Sequence, residues 1–599
     1  MTGLGASYLG DGRCRFRLWA PGAVRAEVHL LGPGERMVPM RRAPRGYHVA
    51  EADRVAPGTR YRYRLDGREE LPDPASRHQP EGVHGPSAVV DPAAHAWRDG
   101  TWRGPDPGAL ILYECHVGTF TDEGTFAAII PRLPDLVRLG VTALELMPVA
   151  QFPGARNWGY DGVYPLAVQD SYGGPEGLCR LVDACHGHGL AVVLDVVYNH
   201  LGPEGNYLPA FGPYFMAAYR TPWGAALNFD GPDSDEVRRL FRESAVHWVR
   251  EYHVDGLRLD AVHAILDRSP RPFLAELAAA VRRAAARAGR RVVLIAESDA
   301  NDPRLLRPPS QGGLGLDAVW SDDFHHALHA LLTGERDGYY ADFGDLRRLA
   351  AAYAHGFAFT GQRSRYRRRR HGAPPTGRAP RQFVVFAQNH DQVGNRAVGE
   401  RLGSLVGPDA VRLAAAAVLL SPFTPLLFMG EEHAERAPFL YFTSHGDPAL
   451  AEAVRDGRRR ECAAAGWAAV PPDPQAEATF ARSRPAGGSG GDRGVRRLYA
   501  ELIRLRGELG SGPARVRQVG ADTLLVLRAG HAVALHFGSG GVVPLDLPAG
   551  RWRRRLDTAD VRWGGPGAAA PAEVASAGAC ALDMAPRSCA VYARVGEEG

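Results

Sequence analysis

The chain has 599 residues, 45% hydrophobic and 23% charged, with a formal net charge of +4. That length is too great for one hydrophobic core and implies about two to four domains. The small, dispersed charge favours neither a nucleic-acid nor an anionic-membrane partner, and no run approaches the roughly 20 apolar residues of a membrane span.

All 71 basic residues are arginine; lysine is absent. Schiff-base chemistry with pyridoxal, P-loop phosphate binding and kinase-type ATP contact therefore cannot run in their usual forms. Cysteines stand at 14, 115, 179, 185, 462, 580 and 589, an odd number without C-x-x-C, so reduced, packed thiols are expected. The opening "MTGLGASYLGDGRCRF" has no basic segment followed by an apolar run, which sets a cytoplasmic expectation. No H-E-x-x-H or comparable ligand pair occurs; neither a metal nor a cofactor is expected, although a zinc hydrolase stays open as a less favoured reading.

Taken in chain order, the first hundred residues read as β. "RCRFRLWAP", "RAEVHLL", "GYHVAEAD" and "TRYRYRLDG" are short β-rich runs between Gly and Pro turns. A β-sandwich over 1–100 fits them, followed by a Pro/Gly-rich hinge at 91–109. From 110 the rhythm changes. Eight apolar runs ("ALILYECHV", "VTALELMPV", "GLAVVLDVVYNH", "VDGLRLDAV", "RRVVLIAES", "LDAVWSDD", "QFVVFAQNHD", "TPLLFMGEE") alternate with helical stretches. This predicts an α/β fold: a (β/α)8 TIM barrel with insertions over 101–512. An open doubly wound sheet lacks its glycine fingerprint. Within that span, "RSRYRRRRHG" at 363–372 reads as a solvated loop, 473–494 as a loop and "RRLYAELIRLRGEL" as a last helix. The remainder, 513–599, returns to β and predicts a second β-sandwich.

The polar residues share one location. Apolar runs come first and charges last: Asp195, Asn199 and His200 after one strand, Arg258 and Asp260 on the next, then Glu297, then Asn389, His390 and Asp391. Barrel strands open their C-terminal ends onto the active-site mouth. Singly, each residue has a plainer use, such as a cap, a turn or a packed histidine. Together they form a catalytic constellation. Glycoside cleavage needs one ionised carboxylate and one protonated carboxyl. Arg258 lies two residues before Asp260 on a strand, hence on its face, and a cation there favours ionisation. Glu297 has no basic neighbour in its segment, which suits the acid.

These segments closely resemble the four signature regions of the α-amylase superfamily of glycoside hydrolases: "DVVYNH", "GLRLDAVH", "AES" and "QNHD", in the family's order. The resemblance implies that Asp260 is the nucleophile, Glu297 the general acid/base and Asp391 the transition-state stabiliser. It implies that Arg258, His200 and His390 hold the sugar being cleaved, and it aligns Tyr160 of "NWGYDGVYPLAVQDSYGG" with the family's stacking tyrosine. His263, Asp322, Asp323, His325, Gln392 and Asn395 would line the mouth. Trp158 and Tyr164 belong either to the mouth or to core packing, and Trp223 either stacks on substrate or anchors a loop. Finer wording ("YECHVGTFTDEGTF", "AESDANDPRL", "VWSDDFHHALH", "QNHDQVGNR") is similar to the branch that releases trehalose from maltooligosyl trehalose. It cuts the adjacent α-1,4 bond with retention. Branching and debranching enzymes share the domain plan, though branching enzymes typically carry "SHDE" where this chain has "NHDQ". The implied partners are maltooligosyl trehalose and related α-glucans. A non-catalytic glucan-binding protein is the remote alternative.

Overall fold

The computed structural model describes residues 3–595 apart from 468, 487–491 and 511. Its centre is a closed barrel of eight parallel strands: β1 Leu112–Cys115, β2 Ala143–Leu146, β3 Ala191–Val196 and β4 Gly256–Leu259, then β5 Val293–Ala296, β6 Ala318–Trp320, β7 Phe383–Val385 and β8 Thr424–Phe428. Each lies inside one of the eight apolar runs. Neighbours pair in sequence order and β8 closes against β1. The (β/α)8 fold is thereby established.

Strand alternation fixes what fills the barrel. Leu112, Ala143, Val193, Ile295, Trp320, Val384, Phe386 and Leu426 form an apolar interior cluster. Two positions further along, the same faces of β1, β2 and β3 carry Glu114, Glu145 and Asp195. A charged layer thus sits directly on an apolar one. Outside, helices such as Gly174–Gly187, Ser234–Glu251 and Phe273–Arg287 bury one face on the strands. Between β6 and β7, Asp322–Thr333 and Leu346–His355 pack together.

At the N-terminal side, two sheet layers are joined by one strand, Arg36–Ala43. Its first five residues pair with Ala26–Leu31 and its last three with Tyr47–Ala52. The module is tied to the barrel by Arg45–Asp235 at 2.9 Å and by the Leu4 N–H on Glu243 at 2.8 Å. At the C-terminal side a six-stranded sheet faces a two-stranded one. Trp552, Ala534 and Tyr592 of the large sheet meet Leu545, Leu582 and Met584 of the small one, while its opposite face, with Leu524, Val526 and Val591, joins the main core.

The hinge is pinned beneath the barrel. Asp255, just ahead of β4, accepts from Trp102 Nε1 (2.7 Å), from His186 Nε2 (2.8 Å) and from the Val192 N–H (2.9 Å). Asp99 of the hinge holds the other ring nitrogen of His186 (2.9 Å) together with His253 (2.8 Å) and Arg290 (2.9 Å). The stretch 473–494 departs from the expected loop: Glu477–Arg482 is helical, while 487–491 lie outside the described residues. The seven cysteines are unpaired, five of them buried. No helix among the described residues is long and apolar enough to cross a membrane.

Candidate active site

A cleft of about 600 Å³ opens at the C-terminal ends of the strands and is lined by Asp260, Glu297 and Asp391 together. Tyr160, His200, His263, Asp322, Gln392 and Asn395 share its wall.

Arg258 organises the three carboxylates from below. It is fully buried, with its guanidinium over the Trp320 ring at 4.2 Å. One nitrogen, Nη1, donates to Asp260 at 2.7 Å and to Asp195 at 2.9 and 3.0 Å. The other, Nη2, lies 3.8 Å from both Glu297 and Asp391. Burying a guanidinium is costly without such partners, so this cation and its carboxylates require one another.

The acids differ in environment. Burial, aided by the charges of Asp260, Asp322 and Asp391 and opposed by Arg258, raises the Glu297 carboxyl well above the usual range. Burial also works against ionisation of Asp391, but His390, Arg258 and Asn395 outweigh it and bring that group down to about 2. Asp260 is oriented by Asn199, whose Nδ2 donates to its Oδ2 at 2.7 Å. Beyond β4 the chain turns at Ala261 with φ 38°, a left-handed value that a residue with a Cβ adopts at a cost. That turn aims the Ala261 N–H at Glu297 Oε2, 2.6 Å away. The strain therefore buttresses a cleft carboxyl.

The aromatic and imidazole groups are interlocked. Tyr160 donates its hydroxyl proton to Asp195 at 2.6 Å, and the same oxygen lies 2.7 Å from His390 Nε2. His200 contacts Asn199 Oδ1 at 2.5 Å and the Tyr160 carbonyl at 3.1 Å. His390 lies at 0% exposure beneath the cleft wall, as Arg258 does. Trp158 lines the cleft while anchored through its Nε1 to the Leu440 carbonyl, 2.8 Å away. Trp223, half exposed on the hairpin Phe215–Leu227, stacks on His200 at 4.8 Å, so it is no buried loop anchor. Tyr164 belongs to the core, its hydroxyl on the Val83 carbonyl at 2.7 Å.

Two expected mouth residues are turned elsewhere. Asp323 is buried and accepts from Asn301 and from the Ala358 and Phe359 N–H groups. His325 is buried between the Ala387 carbonyl and the Tyr340 hydroxyl. Helix geometry is the reason: residues four apart share a face, so Asp322 brings His326, not His325, into the cleft. Burial and the charges of Asp299 and Asp391 push Asp322 up to about 7.

Several lining residues went unread in the sequence: Asp161, Asp299, Tyr339, Tyr366, Arg367, Tyr441, Arg458 and Glu461. Tyr366 and Arg367 belong to the basic run. Most of that run is solvated, but Arg367 pairs with Asp299 at 2.8 Å at the cleft edge. The tyrosine inside the arginines was the available signal.

Family models agree with the architecture. Residues 3–92 match carbohydrate-binding module 48, the isoamylase N-terminal domain, and 92–211 match the alpha amylase catalytic domain. A malto-oligosyltrehalose trehalohydrolase of Arthrobacter ramosus is 51% identical over 516 residues, spanning 85% of this chain and 89% of the relative. That of Saccharolobus solfataricus is 46% identical over 531 residues, spanning 88% and 92%. The chain belongs to the malto-oligosyltrehalose trehalohydrolase family. Among solved structures, a provisional alpha amylase from Salmonella typhimurium superposes with a TM-score of 0.87 at 39% identity, covering 99% of this chain and 100% of that one. This member of the trehalohydrolase family is thus a glycoside hydrolase of the α-amylase superfamily.

Proposed function

We propose that the protein hydrolyses the α-1,4-glucosidic bond next to the trehalose end of maltooligosyl trehalose, releasing trehalose and a maltooligosaccharide with retention at the anomeric carbon. Family membership over most of the chain supports the reaction. The single observation that carries the mechanism is Arg258, within 3.8 Å of three cleft carboxylates.

In this reading Asp260, paired to Arg258 and Asn199, attacks the anomeric carbon as nucleophile. Glu297, kept protonated by burial, gives its proton to the departing glycosidic oxygen and then accepts one from water. Asp391, held ionised, stabilises the oxocarbenium-like charge that develops in the transition state of each step. Tyr160 offers the sugar an aromatic face, and His200, His390 and Arg258 fix its position. His263, Asp322, Gln392 and Asn395 contact neighbouring sugar units. Asp323 and His325 act only by holding the wall. The chain divides in this reading into 1–100, 101–512 and 513–599 and works in the cytoplasm.

Product analysis on maltotriosyl trehalose tests the proposal: free trehalose and maltotriose in equal amounts are expected. Branched glucans from amylose, or linear chains freed from amylopectin, with no trehalose would overturn it in favour of a branching or debranching activity.

A further inference from the structure

His390 is gripped from behind by a group that the reaction scheme above does not use. Glu114, on β1 and only 1% exposed, accepts twice from this one residue: from its backbone N–H at 2.9 Å and from its ring Nδ1 at 2.5 Å. On the other side of the ring, Nε2 lies 2.7 Å from the Tyr160 oxygen and 3.3 Å from Asp391 Oδ2. Each ring nitrogen therefore faces a carboxylate oxygen. A neutral imidazole has one N–H and one lone pair, so it would aim a lone pair at an anion in a buried site. Only the doubly protonated ring makes both contacts attractive.

We propose that Glu114 is a positioning residue for the hydrolysis: it fixes the His390 ring and keeps it an imidazolium, placing a permanent positive charge beside Asp391 and the sugar. The inference rests on the functional reading above, because it acts through a residue assigned there to the substrate. The groups facing the ring are Glu114 and His116 from β1 and its end, Glu145 from β2, Tyr160 from the following loop, Asp195 from β3 and Asp391 beside it, while Arg258 from β4 reaches the Tyr160 hydroxyl at 3.5 Å. Burial keeps His116 neutral, with its pKa lowered to about 4, and holds Glu145 protonated. Burial opposes a charge on His390 as well, yet Asp391 and Glu114 overcome it and leave the ring's pKa well above the ordinary value.

Glu145 supplies the internal control. It stands directly across from Glu114 in the β1–β2 ladder, is equally buried, and neither carboxyl oxygen has a hydrogen-bond partner among the described residues. Glu114→Gln keeps the size and one acceptor but removes the anion, so the ring should titrate nearer the ordinary value of about 6.5. The experiment is the pH profile of kcat for wild type, Glu114→Gln and Glu145→Gln, each checked for folding by circular dichroism. Glu114→Gln should match wild type within a few-fold at acid pH, then lose up to about 10-fold in kcat for each pH unit past its new, lower alkaline limb. Glu145→Gln should follow wild type.

A folded Glu114→Gln enzyme with an unshifted limb overturns the inference. So does an equal shift from Glu145→Gln, which would mean that any change in this layer perturbs the site. If Glu114→Gln does not fold, the His390 ring is followed directly in wild type by 15N NMR: two protonated ring nitrogens above about pH 7 support the inference, and a neutral ring there overturns it. Should wild type release no trehalose, the functional reading fails separately. The same profiles are then taken on whichever α-glucan it cleaves.

Discussion

Arg258 makes one side chain answerable to four acids. Lysine, with a single point charge and no planar fork, cannot meet Asp195 and Asp260 while reaching toward Glu297 and Asp391. Arg258→Lys should lower kcat/KM by about 10²-fold through misplaced carboxylates alone, measured as trehalose release. Asp260→Asn should lose several orders of magnitude, since nucleophile and acid act as a unit. The pH dependence follows from Glu297, which works protonated: activity falls as pH rises through its elevated pKa. Like charge from Asp322 helps to raise that value, so Asp322→Asn should move the alkaline limb of kcat/KM to lower pH. The sign for stability is the same. A carboxyl protonated in the fold but ionised at about 4.3 when unfolded costs stability as pH climbs, so Glu297→Gln, inactive, should melt above wild type at neutral pH. At this scale much was legible. Charges at the ends of apolar strands announced Asp260, Glu297 and Asp391. Glu114 was not, because a carboxylate inside "ALILYECHV" reads as part of an ordinary strand until the barrel closes around it.

At the scale of elements, the turn leaving β4 couples strain to position. Ala261 at φ 38° brings its N–H onto Glu297. Ala261→Gly removes the conformational penalty and should raise stability by about 1 kcal/mol, offset by greater freedom of the unfolded chain. Ala261→Val should lower both the melting temperature and kcat, as β-branched residues resist that region. Thermal melts and rates on the two variants distinguish these effects. The eight barrel strands were readable because each is an apolar run closed by polar residues. Helix phase was not: the adjacent pairs Asp322–Asp323 and His325–His326 look alike in sequence, and only the rotation of the helix sends Asp322 and His326 to the cleft. Strands such as Arg36–Ala43 and Gly550–Asp557 escaped notice because arginines and a proline interrupt their alternation.

For the whole molecule, the two ends of the barrel have separate duties. The cleft lies at the strand C-termini, while Asp255, Asp99 and His186 lock the hinge beneath the strand N-termini. Asp255→Asn leaves a buried ring nitrogen or N–H poorly paired and should destabilise the fold by about 3 kcal/mol, with kcat per folded molecule unchanged; a fall in kcat would mean that the two ends are coupled. The charges of "VDGLRLD" divide, Asp255 to anchoring and Arg258 with Asp260 to the site. The most direct test of the central claim is covalent trapping. A fluorinated α-maltosyl donor that slows turnover should, on peptide mass mapping, leave a glycosyl ester on Asp260, and Glu297→Gln should lengthen its lifetime. A label on any other residue, or no label together with a β-configured first product, would contradict the account.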